Sequence, residues 1–226
     1  MPDVARLLHG AMIVLLVASV VGADSPAPQS SYKQVSPDGR FVFVMISPWP
    51  VETAVKRWVE TKAQEIREIR KKYKRSGLYR NDGSTEPLWS VDWYALGVDV
   101  ASDGVHLIRH GPWARSMDDE AISFFANGEL LHTYTIRDLV DNSMFLDRTV
   151  SHFSWQQEGR FDDGRLEYSL TTKDRNRFVF DVRTGEVKHS FRPIRAIRWI
   201  IVGLCGIGLL GSVAWGIKRY ADKRSP

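Results

Sequence analysis

From Trp199 to Ile217 the chain runs nineteen residues without a charge. As a helix rising ~1.5 Å per residue, that run is roughly 28 Å long, close to the thickness of a bilayer's hydrocarbon core. The sequence therefore predicts a transmembrane helix over 197–217. Trp199, Trp215 and Tyr220 lie near its two ends, where amphipathic rings favour the headgroup zone. A basic tail, 218–226, follows with Lys218, Arg219, Lys223 and Arg224.

The amino end is apolar over a shorter stretch. Arg6 precedes a run from Ala11 to Val21, about a dozen residues against the ~20 that a spanning helix needs, and Gly22 and Ala23 follow. That order reads as a secretory signal peptide over 1–23, with an uncleaved anchor as the alternative. The basic flanks of the carboxyl-terminal segment nearly balance, Lys188, Arg192, Arg195 and Arg198 on one side and the tail on the other. Charge alone does not orient it. Export of the amino end does, placing the main domain outside the cytoplasm and the tail in the cytosol. The expected location is a cell membrane, crossed once.

The chain of 226 residues carries +4 overall, and the tail holds most of that excess. The exported part is near neutral, so the basic balance is no argument for a nucleic-acid partner. The one cysteine, Cys205, falls within the apolar span. The exported domain thus holds no disulfide and relies on packing. No Asn-x-Ser/Thr acceptor occurs there, which favours a bacterial envelope over an animal cell surface.

A linker over 24–35 leads to an extracytoplasmic domain over 36–192. Phe41 to Ile46 reads as a strand. Val51, Ala54, Val55, Trp58, Val59, Ala63, Ile66, Ile69 and Tyr73 then recur at helical spacing, predicting an amphipathic helix over about 51–75 that Gly77 stops. Further strands are expected at Leu88–Tyr94, Val98–Ala101, Val105–Arg109, Ala121–Ala126, Glu129–Thr135, Leu166–Thr172, Arg177–Val182 and Glu186–Phe191. Asn127-Gly128 joins one pair as a type I′ hairpin, and Ile136–Val140 forms a short helical turn. The fold class is mainly β (α+β), an antiparallel meander with one packed helix plus the transmembrane helix.

Arg-Phe-Val-Phe occurs at 40–43 and again at 177–180, in contexts that resemble propeller blades. Four blades of ~40 residues would use nearly the whole domain, and the helix takes too much of it. The expectation is instead two strands of one ordinary sheet.

The sequence holds no His-Glu-x-x-His helix, Gly-x-Ser-x-Gly elbow, P-loop or dinucleotide fingerprint. Ser30-Ser31-Tyr32-Lys33 matches Ser-x-x-Lys but sits in the linker. No cofactor is implied. His106 and His110 face one side of an extended segment, yet zinc needs at least three protein ligands and no third is visible. Asp118-Asp119-Glu120 and Asp162-Asp163 read as turn caps. Most tryptophans belong to the core. Trp113, in His110-Gly111-Pro112-Trp113, is the loop aromatic placed to meet a ligand, with His106 and His110 beside it as candidate contacts.

Arg70, Lys71, Lys72, Lys74 and Arg75 at the end of the helix either complement its dipole or touch an anionic surface. Cys205, Gly208, Ser212 and Gly216 form a stripe of small residues along the span, suited to packing against a second copy as a homodimer.

Phe41-Val42-Phe43-Val44-Met45, Gly77 to Ser84, Val91-Asp92-Trp93-Tyr94 and Ser102 to Leu107 together resemble a family of uncharacterised bacterial secreted or membrane-attached proteins. The resemblance implies an envelope setting and no activity. The expected function is a membrane-anchored binding or assembly module, partnered by the bilayer and by a membrane protein or envelope polymer. The alternatives are binding of an anionic polymer through Arg70 to Arg75 and an envelope hydrolase. The hydrolase needs a site assembled from distant residues such as His106, His110, Asp118 and Asp119.

Overall fold

The structure is a computed structural model and describes residues 29–49 and 60–197. The signal peptide over 1–23, the first part of the helix from 51, the apolar span beyond Ile197 with Cys205, Gly208, Ser212 and Gly216, and the tail over 218–226 lie outside those residues. Among the described residues no helix is long and apolar enough to cross a membrane.

The chain is mainly β and antiparallel, with a few helices. Strands β1 (Tyr32–Val35), β2 (Phe41–Met45), β3 (Ser76–Arg80) and β4 (Trp89–Val91) form one meander, with helix α1 (Glu60–Lys72) between β2 and β3. A second meander holds β5 (Val98–Val100), β6 (His106–His110), β7 (Glu120–Ala126) and β8 (Glu129–Thr135). Helix α2 (Ile136–Leu139), a 3₁₀ turn at Ser143–Phe145 and the small hairpin β9 (Asp147–Arg148) and β10 (Phe153–Ser154) follow. The third meander is β11 (Gln156–Asp162), β12 (Glu167–Thr172), β13 (Arg177–Asp181) and β14 (Val187–Phe191).

The two Arg-Phe-Val-Phe segments therefore belong to different sheets, β2 to the first and β13 to the third, which corrects the expectation of one sheet. Each strand pairs with its sequence neighbours because closing a short turn costs less entropy than joining segments 137 residues apart. Three local meanders result, the second sharing one apolar cluster with the first and another with the third.

Apolar alternation explains this sharing. Phe43 and Met45 of β2 face the second sheet and pack with Leu78, Val98, Val100, Leu107 and Phe125. Val42 and Val44 face the other way and meet Ile69 of α1 and Tyr73 just beyond it. Hence β2 reads as an unbroken apolar run, as a strand covered on both faces must. Between the second and third sheets lie Ile108, Ile122, Phe124, Tyr168, Leu170, Phe178 and Phe180. Burying one such side chain contributes about 1.5–3 kcal/mol, so these three clusters are what the fold rests on.

Two expected boundaries move. The segment read as a linker already contains β1. Helix α1 ends at Lys72 rather than near 75. There the Tyr73 ring turns onto that of Tyr79, 4.7 Å between centroids, and the Ser76 hydroxyl accepts the Ile46 amide at 2.9 Å, drawing the chain into β3.

The registers sort the connections to two ends. Tight turns join β1 to β2, β5 to β6, β7 to β8, β11 to β12 and β13 to β14 at one end. Asn127 and Gly128 carry the positive φ angles of 51° and 83° that their hairpin requires. Ser102 laces this turn end together. Its hydroxyl accepts the Asp38 amide at 3.2 Å, its carbonyl accepts Arg40 at 2.7 Å, and its amide donates to Asp163 at 2.7 Å. The acidic pair Asp162-Asp163 is thus spent on turns, Asp162 accepting the Arg165 amide at 3.1 Å. The long connections, 92–97, 111–119 and 136–155, all lie at the opposite, open end.

Candidate functional site at the open end

A cleft of about 720 Å³ opens at this end, between the loop after β4 and the loop joining β6 to β7. Trp49, Leu96, Pro112 and Trp113 supply its apolar walls, while Arg109, His110, Arg115 and Glu120 supply polar edges. Gly111 is what lets the 111–119 loop lie so close to β7. Its amide donates to the Ala121 carbonyl at 3.0 Å, and a Cβ there would overlap the Glu120 carbonyl.

The polar edge is rigid. Arg109 Nε donates to Glu120 Oε1 at 2.7 Å and Nη2 to Oε2 at 2.5 Å, a two-pronged pair across the β6–β7 connection. The same guanidinium lies 4.7 Å from the Trp93 ring centroid and 5.0 Å from that of Phe125, so its plane is held by stacking as well. His110 Nε2 meets Asp99 Oδ2 at 2.9 Å, and its ring lies 5.8 Å from that of Tyr168. Burial pushes the Tyr168 phenol up, and the Asp99 carboxylate adds to the effect. Trp113 rests on His152, 4.1 Å between ring centroids. Trp49 is held from behind, since Arg70 Nη1 donates to the Ser47 and Trp49 carbonyls at 2.7 and 3.4 Å.

The structure brings Trp113 and His110 into one cleft. His106 lies at the turn end instead, its Nδ1 2.5 Å from Asp103 Oδ2. Burial opposes ionisation of Asp103, but the bonds from the His106 ring and the His106 and Val105 amides outweigh it, and its carboxyl stays below the usual range. Of the four residues of the hydrolase alternative, His110 and Asp119 line the cleft and His106 and Asp118 do not. Asp118 pairs with Arg137 at 2.7 Å, and Asp119 Oδ2 caps the amides of Arg115 and Ser116 at 2.7 and 2.9 Å. Among the described residues no three His, Cys, Asp or Glu side chains are grouped as a metal site. Ser31, of the Ser-x-x-Lys match, is buried and its hydroxyl accepts the Ser47 amide at 3.0 Å.

Of the basic series, Arg70 is the inward member. Lys72 Nζ lies 5.1 Å from the Tyr73 ring centroid, Lys74 reaches the Lys71 carbonyl at 3.4 Å, and Arg75 edges a second recess with Trp93 and Leu130. Sequence reasoning missed Arg109, Glu120 and Trp49. Pro48-Trp49-Pro50 was the available signal for Trp49, an aromatic flanked by residues that cannot pair in a sheet interior.

No family model and no curated protein matches this chain.

Proposed function

We propose that the chain is a single-pass, membrane-anchored envelope protein whose extracytoplasmic β-rich domain is a binding module, with the open-end cleft as its ligand site. The observation that carries this reading is the cleft itself, where the Trp49 and Trp113 faces adjoin a guanidinium–carboxylate fork already locked in place. Flat apolar faces beside fixed hydrogen-bonding groups suit a sugar ring, so the ligand is an envelope glycan. Arg109 and Glu120 neutralise each other, which suits a ligand recognised by shape and hydrogen bonds more than by net charge.

The test is calorimetric titration of the detergent-solubilised full chain with soluble envelope glycan oligomers. Saturable binding that Trp113→Ala weakens about tenfold, the loss of ~1.4 kcal/mol of contact, is the expected result. Equal binding by the variant, or none by the intact chain, contradicts it. Binding of a membrane protein in place of glycan would leave the module and replace its ligand.

One observation favours the hydrolase alternative. Asp99 orients His110, which faces the cleft, as a general base is oriented. Hydrolysis of a bound glycan that His110→Gln abolishes without unfolding the protein would move the assignment to that reading.

A further inference from the structure

We infer that the open end of the domain is the face laid against the membrane, and that its partner is the anionic headgroup surface of a lipid bilayer. The inference rests on the anchored reading above.

Three observations meet at this end. The first is exposed apolar surface on loops that are built to hold it. Met144 is 89% exposed, Phe145 56% and Val150 102%, all within the 136–155 connection, and Trp49 is 55% exposed nearby. Met144 and Phe145 are presented by a fixed turn. Asn142 Oδ1 accepts the Met144 amide at 2.9 Å, and Asp174 Oδ2 accepts the amides of Asp141 and Asn142 at 2.7 and 3.0 Å. A backbone turn already fixed spares the cost of ordering the loop when its apolar tips enter a headgroup layer.

The second is charge. The carboxyl-terminal end of α1 with its basic series, and the exposed Arg115, Arg148 and Arg175, lie at the open end, while the turn end sets Arg40, Arg80, Arg165 and Arg183 against nine acidic residues in the turns 36–40, 80–88, 101–105, 127–129, 162–166 and 181–186. Several acidic side chains near the open end are paired with cations, while Asp92 is exposed there. Asp118 pairs with Arg137, Asp147 with Lys173, and Asp141 with Arg192 and Arg195. Each cation near an anionic leaflet contributes about 1 kcal/mol, so this asymmetry sets which end faces it.

The third is where the chain goes next. Asp141 Oδ1 holds Arg192 at 3.1 Å and Arg195 at 2.7 Å, fixing the last described residues to the open end. Arg195 stands four residues before the uncharged run that begins at Trp199, a reach of at most roughly 14 Å. The cleft consequently opens at headgroup height, and a ligand that enters it does so beside the bilayer.

The experiment uses the full chain with Cys205→Ser and one new cysteine, Met144→Cys or, at the turn end, Asp82→Cys, each carrying an environment-sensitive fluorophore. Both proteins are reconstituted in phosphatidylcholine vesicles with phosphatidylglycerol and nitroxide-labelled lipid. The expected result is strong quenching and a blue-shifted emission at 144, neither at 82, and weaker quenching at 144 when phosphatidylglycerol is left out. Val150→Cys repeats the measurement should the first variant fold poorly. Equal quenching at both ends overturns the inference, and quenching indifferent to phosphatidylglycerol overturns its anionic partner. An alkaline carbonate wash separates the two readings. Retention with an exposed probe at 144 removes this face and keeps the anchor, whereas release with the probe shielded at neutral pH removes the anchor and keeps the face.

Discussion

The Tyr94 hydroxyl donates to the Ser30 carbonyl and accepts the Ser30 amide, both at 3.0 Å, so one phenol satisfies both sides of a residue 64 positions earlier. This pair fixes the amino-terminal segment along the cleft, where Gln29 and Tyr94 both contribute to the wall. Tyr94→Phe removes both bonds at once. A loss of about 1–2 kcal/mol in chemical denaturation is expected, together with faster amide hydrogen exchange at Ser30 and Ser31.

Burial raises the phenols of Tyr32, Tyr79, Tyr94, Tyr134 and Tyr168 above their ordinary value of 10.0. A raised phenol keeps its proton in the folded state after the unfolded chain has lost it. Stability is therefore complete below pH 10.0 and falls as pH climbs from there through the folded values. Denaturation midpoints measured against pH should hold level up to that point and drop above it. Tyr168→Phe should flatten part of the drop.

Close backbone approach at Gly111 gives a sharper test of the cleft. Gly111→Ala drives a methyl into the Glu120 carbonyl and should cost about 1–3 kcal/mol while displacing Arg109 from Glu120. Gly164→Ala meets only Asp162 at an ordinary 3.6 Å and should be nearly neutral. Thermal melts of the two variants compare them directly.

Asp174 is buried at the 173–176 turn, where it accepts two backbone amides and the Thr172 hydroxyl. Asp174→Ala leaves the Asp141 and Asn142 amides without this partner and should cost about 2–4 kcal/mol in denaturant titrations. Asn176 donates to the Leu139 carbonyl at 2.8 Å and joins the same network, so Asn176→Leu should be similarly costly and not additive with it.

Local chemistry made much of the fold legible. Asn127-Gly128 with apolar residues on either side specified the β7–β8 hairpin, and the apolar alternation of β12 and β13 marked them as strands. Strand β3 escaped because Ser76-Gly77 reads as a helix stop. Gly77 is in fact needed inside the sheet, where a Cβ would overlap the Trp89 carbonyl. Strand β11 escaped because, at a sheet edge, most of its residues face solvent and no period of two shows. Trp113 and His110, expected beside a loop because of the Gly-Pro between them, both line the cleft. The Arg109–Glu120 fork was not found, since its two halves meet only once the 111–119 loop has folded back.

The most direct test of the account is the sidedness of the main domain in living cells. The full chain with Cys205→Ser and Asp82→Cys is expressed in bacteria, and intact spheroplasts are treated with a membrane-impermeant maleimide. Labelling before lysis, on protein that stays with carbonate-washed membranes, is the predicted result. Labelling only after lysis, or labelled protein of full length in the soluble fraction, would contradict it.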